Sequence, residues 1–240
     1  MITIRYRLFR PELAPRRTKV EIPGWGGVKE PRRDGSHEQA WHCLPFVEGA
    51  QYGIEVLYPH DQELRVSRRD GQFYFETDTA SAEAKPPPFR SFGENYYTYQ
   101  LLLDLKVPDG FAVRAEPHPR FFLSDANDVP LAVPALLRTS WWPMINFVVF
   151  KAPPAGSFHV FRPGEPFMQF CVVPTDPGIQ LEPMGPEEEA EREMQSRRIH
   201  ASRDTLGLDT RWTSSTNTVF DGTYRRILGA ARARDRASDE

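Results

Sequence analysis

The sequence predicts a mainly β protein: a two-sheet sandwich or jelly-roll barrel followed by two C-terminal helices. Three observations carry this. The chain holds 23 prolines in 240 residues, nearly twice the ordinary frequency of about 5%, which favours short strands and ordered loops over long helices. Runs of β-branched and aromatic residues recur about every ten residues with turn residues between them. After Pro174 the character changes to a Glu-rich and then Arg-rich stretch with helical patterning.

Taken in order, Ile2 to Phe9 alternates apolar and basic residues, as an edge strand with one face in a core would. Arg10 to Ser36 is rich in Pro, Gly and Arg pairs and reads as a surface loop or an arm that reaches a neighbouring subunit. Trp41 onward forms an apolar turn or short helix leading into a strand near Tyr52. Leu64 to Val66 and Gln72 to Thr77 flank Asp70-Gly71, the residue pair of a tight hairpin. A Pro-rich linker at Lys85 to Pro88 precedes a strand over Tyr96 to Val107, closed by Pro108-Asp109-Gly110. Phe111 to Ala115 and a short Phe121 to Leu123 follow as strands.

Trp141 to Pro174 is the most apolar part and is expected as two neighbouring extended segments in the middle of a sheet, joined by a Pro-Pro-Ala-Gly turn. One member of Trp141-Trp142 should then enter the core and the other face a cavity, a partner or solvent. A helix is expected from Pro186, acidic first and basic last as the helix dipole favours, and a second from Asp221 with Tyr224, Ile227, Leu228 and Ala231 on one face. The length suits one core with appendages: residues 1–36 as strand and arm, 37–180 as β core, 181–240 as helical extension.

The formal net charge of -3 and pI near 6.1 give no global reason to bind nucleic acid or an anionic membrane. The N-terminus has arginines where a signal peptide needs an apolar run, and no stretch reaches membrane-spanning length, so a cytoplasmic protein is expected. The two cysteines, Cys43 and Cys171, read as buried free thiols. No phosphate loop, dinucleotide fingerprint, nucleophile elbow or Cys-x-x-Cys pair is present, and the cofactor is left open.

The order Cys43-Leu-Pro, Gln51-Tyr-Gly, Phe92-Gly93, Pro108-Asp-Gly, Trp142-Pro-Met-Ile-Asn, Gly164-Glu-Pro-Phe-Met-Gln and Trp212 resembles an uncharacterised domain family of bacterial and phage proteins, over roughly residues 40–230. That resemblance implies a β-rich fold and no settled activity. Pro154-Ala-Gly156-Ser-Phe-His159 is similar to the second cupin motif, in which the histidine binds metal, but Val148 and Pro163 stand where glycine and asparagine are expected. No metal site is assigned on it. Gly164-Glu-Pro-Phe-Met-Gln169 is similar to a strand of the dUTPase jelly roll, whose other motifs are missing.

Two function classes follow. In one, a small-molecule enzyme or binder uses the barrel interior: Glu165 and His159 are the catalytic candidates, Gln169 and His42 orient a polar ligand, and Trp142 and Tyr97 supply aromatic walls. Glu165 and Gln169 share a face only if the strand already includes Glu165; the plain alternative puts Glu165 in the Pro-Gly-Glu-Pro turn. The plain account of the histidines has His60 at the surface, His42 bonded to backbone and His159 facing solvent. In the other class the chain is a non-catalytic structural or interaction subunit, a homodimer or a partner of another protein through its N-terminal arm and C-terminal helices.

Overall fold

The computed structural model describes residues 2–8, 14–19, 40, 43–78, 87–123, 129–144, 146–202, 212–213, 219–220 and 223–238. The chain divides into two units, one of Met1–Glu21 with Glu48–Pro177 and one of Ile22–Val47 with Gly178–Glu240. It is mainly β, with several antiparallel sheets and C-terminal helices; among the described residues no sheet closes into a barrel.

In the first unit, β1 (Arg5–Leu8) pairs with β8 (Leu103–Lys106). A five-stranded sheet runs in the order β10 (Ala135–Leu137), β9 (Phe111–Pro117), β13 (Pro166–Pro174), β3 (Ile54–Leu57), β2 (Arg16–Arg17). Two three-stranded sheets hold β11 (Phe147–Lys151), β7 (Tyr96–Gln100) and β6 (Phe89–Phe92), and β12 (Phe158–Phe161), β4 (Leu64–Arg69) and β5 (Gln72–Thr77). β4 and β5 meet at Asp70-Gly71, with φ of 49° and 76°. Positive φ at both central residues is what a two-residue hairpin needs to match strand twist, and Asp and Gly tolerate it best.

β13 is the central strand. Its nine residues pair with β9 on one side and β3 on the other. Alternation divides it: Met168 and Phe170 join Val56, Val113 and Ala115 in the core, while Gln169 and Cys171 point to the opposite face. The core itself draws residues from all four sheets of this unit and is dominated by rings. Tyr97 stacks on Phe150 with centroids 5.2 Å apart, Phe150 meets Phe161 edge to face at 5.5 Å, and Phe161 lies 5.6 Å from Phe167. Such offset and edge-to-face contacts add to the large apolar area each ring buries.

Several expectations are corrected. Trp141 to Pro174 does not form two neighbouring strands: β11, β12 and β13 belong to three different sheets, and only β13 is central. Trp141 and Trp142 lie at and just after a turn before β11, so strand alternation does not apply and both are exposed, at 66% and 44%. Phe121 to Leu123 is the end of a 3₁₀ turn, Pro119–Leu123, rather than a strand. Pro119 fixes its φ at the first position, and Phe121 N–H closes the turn on His118 O. The expected strand over Tyr96 to Val107 breaks at Leu101-Leu102 into β7 and β8, which serve different sheets.

The second unit holds α2 (Pro186–Ser202), the short ladder of β14 (Trp212–Thr213) with β15 (Val219–Phe220), and α3 (Thr223–Ser238). α1 (Leu44–Ala50) has residues on both sides of the division. α2 starts with proline at its first position and three glutamates in its first turn, the arrangement its free N–H groups favour. The expected start of the second helix, Asp221, lies outside the described residues. No helix among the described residues is long and apolar enough to cross a membrane.

Candidate functional site

The face of the five-stranded sheet opposite the core carries an unusual concentration of polar groups. Register places Arg16, Glu55, Gln169 and Glu116 in a single row across β2, β3, β13 and β9. Cys171 and Arg114 form the next row, and His118 follows just beyond β9. Glu55 is 0% exposed, and His118, Gln169, Thr18 and Cys171 are buried.

An ionised carboxylate away from water needs compensation on both oxygens. Arg16 Nε pairs with Glu55 Oε1. On the other oxygen, the Lys19 N–H donates to Oε2 at 3.3 Å, and His118 Nε2 lies 3.4 Å away. The His118 tautomer follows from its second nitrogen: Nδ1 accepts the Arg120 backbone N–H at 3.2 Å, so the proton of the neutral ring sits on Nε2, which lies near Glu55 Oε2 without the alignment of a hydrogen bond. Burial lowers the His118 pKa from 6.5 to about 4, with Glu55 opposing that shift and Arg120 and Arg16 adding to it. His118 is therefore neutral at pH 7.

The other half of the row is equally committed. Thr18 Oγ1 donates to Gln169 Oε1 at 3.1 Å, and Gln169 Nε2 donates to Glu116 Oε2 at 3.4 Å. Glu116 also pairs with Arg114 at 3.1 Å and accepts from Cys171 Sγ at 3.6 Å. Burial, reinforced by the Glu116 carboxylate, pushes the Cys171 thiol up to about 12. Gly53 makes room for this network: a Cβ there would stand 2.4 Å from Gln169 Oε1 and 3.1 Å from Thr18 Oγ1.

What the row does physically is hold the N-terminal segment. Arg16, Thr18 and Lys19 come from β2 and the residues after it, and each is bonded to a side chain of the central strands; the Arg17 guanidinium adds a bond to Gln51 O at 3.1 Å. The contacts are made within the chain, which leaves Glu55 and Gln169 engaged rather than poised for an external group.

The sequence-derived candidates fall in different places. Glu165 sits in the turn before β13, with its N–H on Arg162 O, and a register irregularity between Pro166 and Met168 separates it from Gln169. Its carboxylate pairs with Arg120 at 2.8 Å, in a ladder that continues through Arg162 and Glu63 to Arg65. Gln169 belongs instead to the buried row. His159 does not face solvent: it is buried on β12, with Nδ1 2.8 Å from the Tyr97 hydroxyl. His60 is not at the surface either, its Nε2 lying 3.0 Å from the Tyr99 hydroxyl. Both histidines face inward against tyrosines of β7 that share one face. Tyr97 is fully buried within the ring cluster, and burial raises its pKa well above 10.0. Trp142 is exposed and stacks edge to face on Trp141 at 5.8 Å. His42 lies outside the described residues. Cys171 is buried as expected, whereas Cys43 is exposed.

Glu55, Glu116, His118, Arg16 and Thr18 were not singled out by sequence reasoning. The one signal available was a glutamate inside Gly-Ile-Glu-Val-Leu, a charged residue amid strand formers. Among the described residues no three His, Cys, Asp or Glu side chains converge in a way that could hold a metal ion. An apolar crevice lined in part by Leu8, Pro15, Val56, Tyr99 and Leu103 has a volume of about 20 Å³. That is room for a water, against the several hundred Å³ of a typical ligand pocket.

No family model matches the chain, so the expected membership of a bacterial and phage domain family has no matching model, and no curated protein matches it. Among solved structures, native EIAV dUTPase is distantly similar, with a TM-score of 0.35 and 10% identity, covering 77% of this chain and 98% of that one. At that distance the likeness bears on neither substrate nor mechanism.

Proposed function

We propose that this protein is a non-catalytic structural or interaction subunit, built on a jelly-roll-like sandwich and acting in the cytoplasm. The observation that carries this reading is the filled interior. Tyr97, Tyr99, Phe150, Phe161 and Phe167 interlock in the space where an internal ligand would sit. Large apolar side chains are instead exposed outside it, at Trp141, Trp142, Met144 and Phe147 in one stretch of chain. Exposed clusters of this kind suit contact with another macromolecule. The buried polar row supports the same reading, since it fastens the N-terminal segment and leaves its carboxylates engaged.

A second reading, a small-molecule binder or enzyme using His159, Glu165 and Gln169, draws on one observation: two of these polar residues, His159 and Gln169, are buried. A thermal-shift screen of small polar and aromatic metabolites separates the two. The subunit reading expects no saturable rise in melting temperature. A ligand at 100 times its dissociation constant adds about 2.7 kcal/mol, or about 5–10 °C for a chain of this size. A rise of that kind, lost in Glu165→Ala or His159→Ala, would overturn the subunit reading.

A further inference from the structure

Helix α3 is a poor helix on its own terms. It has 16 residues, with Gly229 in its middle, where glycine costs about 1 kcal/mol relative to alanine. Isolated helices near this length are marginal in water. Yet its apolar face, Tyr224, Ile227, Leu228 and Ala231, is only partly covered: Leu228 and Ala231 are half-buried, while Tyr224 is 53% and Ile227 44% exposed. Arg225, Arg232 and Arg236 follow one another along one flank of that stripe at spacings of seven and four. In total α3 carries five arginines against one aspartate.

Helix α2 has the complementary character. It carries five glutamates against three arginines. Its face centred on Ala190 and Met194 is exposed, with Glu187 and Glu191 on one side and Glu189 and Glu193 on the other. α2 needs less help to form, having acidic residues at its N-terminus and internal i,i+4 pairs, Glu193 with Arg197 and Gln195 with Glu191.

We infer that α3 docks on α2 of a second copy of this chain, its Tyr224–Ile227–Leu228 stripe on the Ala190–Met194 face and its arginine flank against the glutamates. The inference rests on the subunit reading and names the partner. Made reciprocally about a two-fold axis, the contact occurs twice. Each α3 is about 24 Å long, so the two contacts together bury on the order of 1,000 Å², near the lower limit for a specific interface. A modest, salt-sensitive dimer is the expected product. A second copy is favoured over an anionic membrane because the stripe is short and because matching carboxylates are present on the chain itself.

Sedimentation of the full chain tests this. Wild type should show a concentration-dependent dimer whose dissociation constant rises about tenfold or more between 50 and 500 mM NaCl, as screening shortens. The variant Arg225→Glu/Arg232→Glu/Arg236→Glu and the variant Glu187→Lys/Glu189→Lys/Glu191→Lys should each be monomeric. Mixed together they should form a one-to-one dimer, because both helix contacts then join opposite charges. Tyr224→Ser/Ile227→Ser changes only exposed apolar residues and should also be monomeric. The pairing is overturned by wild type that stays monomeric at 100 µM, by charge variants that remain dimeric, by a mixture that does not associate, or by monomers that co-sediment with phosphatidylserine vesicles through α3. A monomer with a silent ligand screen sinks this pairing alone, whereas a saturable ligand sinks the subunit reading.

Discussion

Acid should find His118 before it finds the rest of the fold. With its folded pKa lowered from 6.5 to about 4, the folded state holds fewer protons than the unfolded chain between those values. Stability must therefore rise with pH across that window and fall as pH drops through it. At 1.36 kcal/mol per pH unit, the loss attributable to this one ring amounts to about 3 kcal/mol by pH 4, with none above pH 7. The cause is first of all burial, with the Arg120 and Arg16 charges adding to it and Glu55 opposing it; in addition, protonation puts a hydrogen on Nδ1, which already accepts the Arg120 N–H. Urea unfolding at half-unit intervals from pH 7.5 to 4, for wild type and His118→Gln, measures the term by difference, because every other titrating group is common to both. The wild-type stability minus the variant's should fall by about 3 kcal/mol between pH 7.5 and 4. Parallel curves, or a His118 resonance titrating near 6.5, would refute a neutral His118 held out of water beside Glu55.

Gly53→Ala should destabilise by about 1–3 kcal/mol through overpacking, since the new methyl would meet Gln169 Oε1 at 2.4 Å; Gly53→Ala/Gln169→Ala should recover part of it in thermal unfolding. Tyr97→Phe should cost about 1–3 kcal/mol by removing the partner of His159 Nδ1 at 2.8 Å, seen as a lower denaturant midpoint with an unchanged slope. With a thiol reagent at pH 8, the native protein should titrate one cysteine, the exposed Cys43, and the second only in urea, because Cys171 is buried with its pKa pushed up to about 12. Trp141→Ser/Trp142→Ser should change stability by less than about 0.5 kcal/mol, both rings being exposed; a larger loss would mean that they pack against something.

What the sequence determined by itself was local chemistry. Proline frequency and recurring β-branched runs gave the mainly β class, Asp70-Gly71 specified its hairpin through backbone tolerance alone, and Pro186 with its glutamates specified where α2 begins. Each of these depends on residues within a few positions of one another. Strand pairing does not. Nothing near Phe147, Phe158 or Pro166 states that three consecutive strands go to three sheets, because that choice is made by burying rings against partners 47 to 116 residues away. The same holds for the polar row. Glu55, Gln169, Glu116 and Arg16 are scattered along the chain and become neighbours only through register, and His118 acquires its tautomer only from the backbone of Arg120. Alternation could say that Gln169 and Glu55 point away from the apolar face of their own strands; only the tertiary structure could decide that they point into one another's company, out of water, and hold the N-terminal segment there.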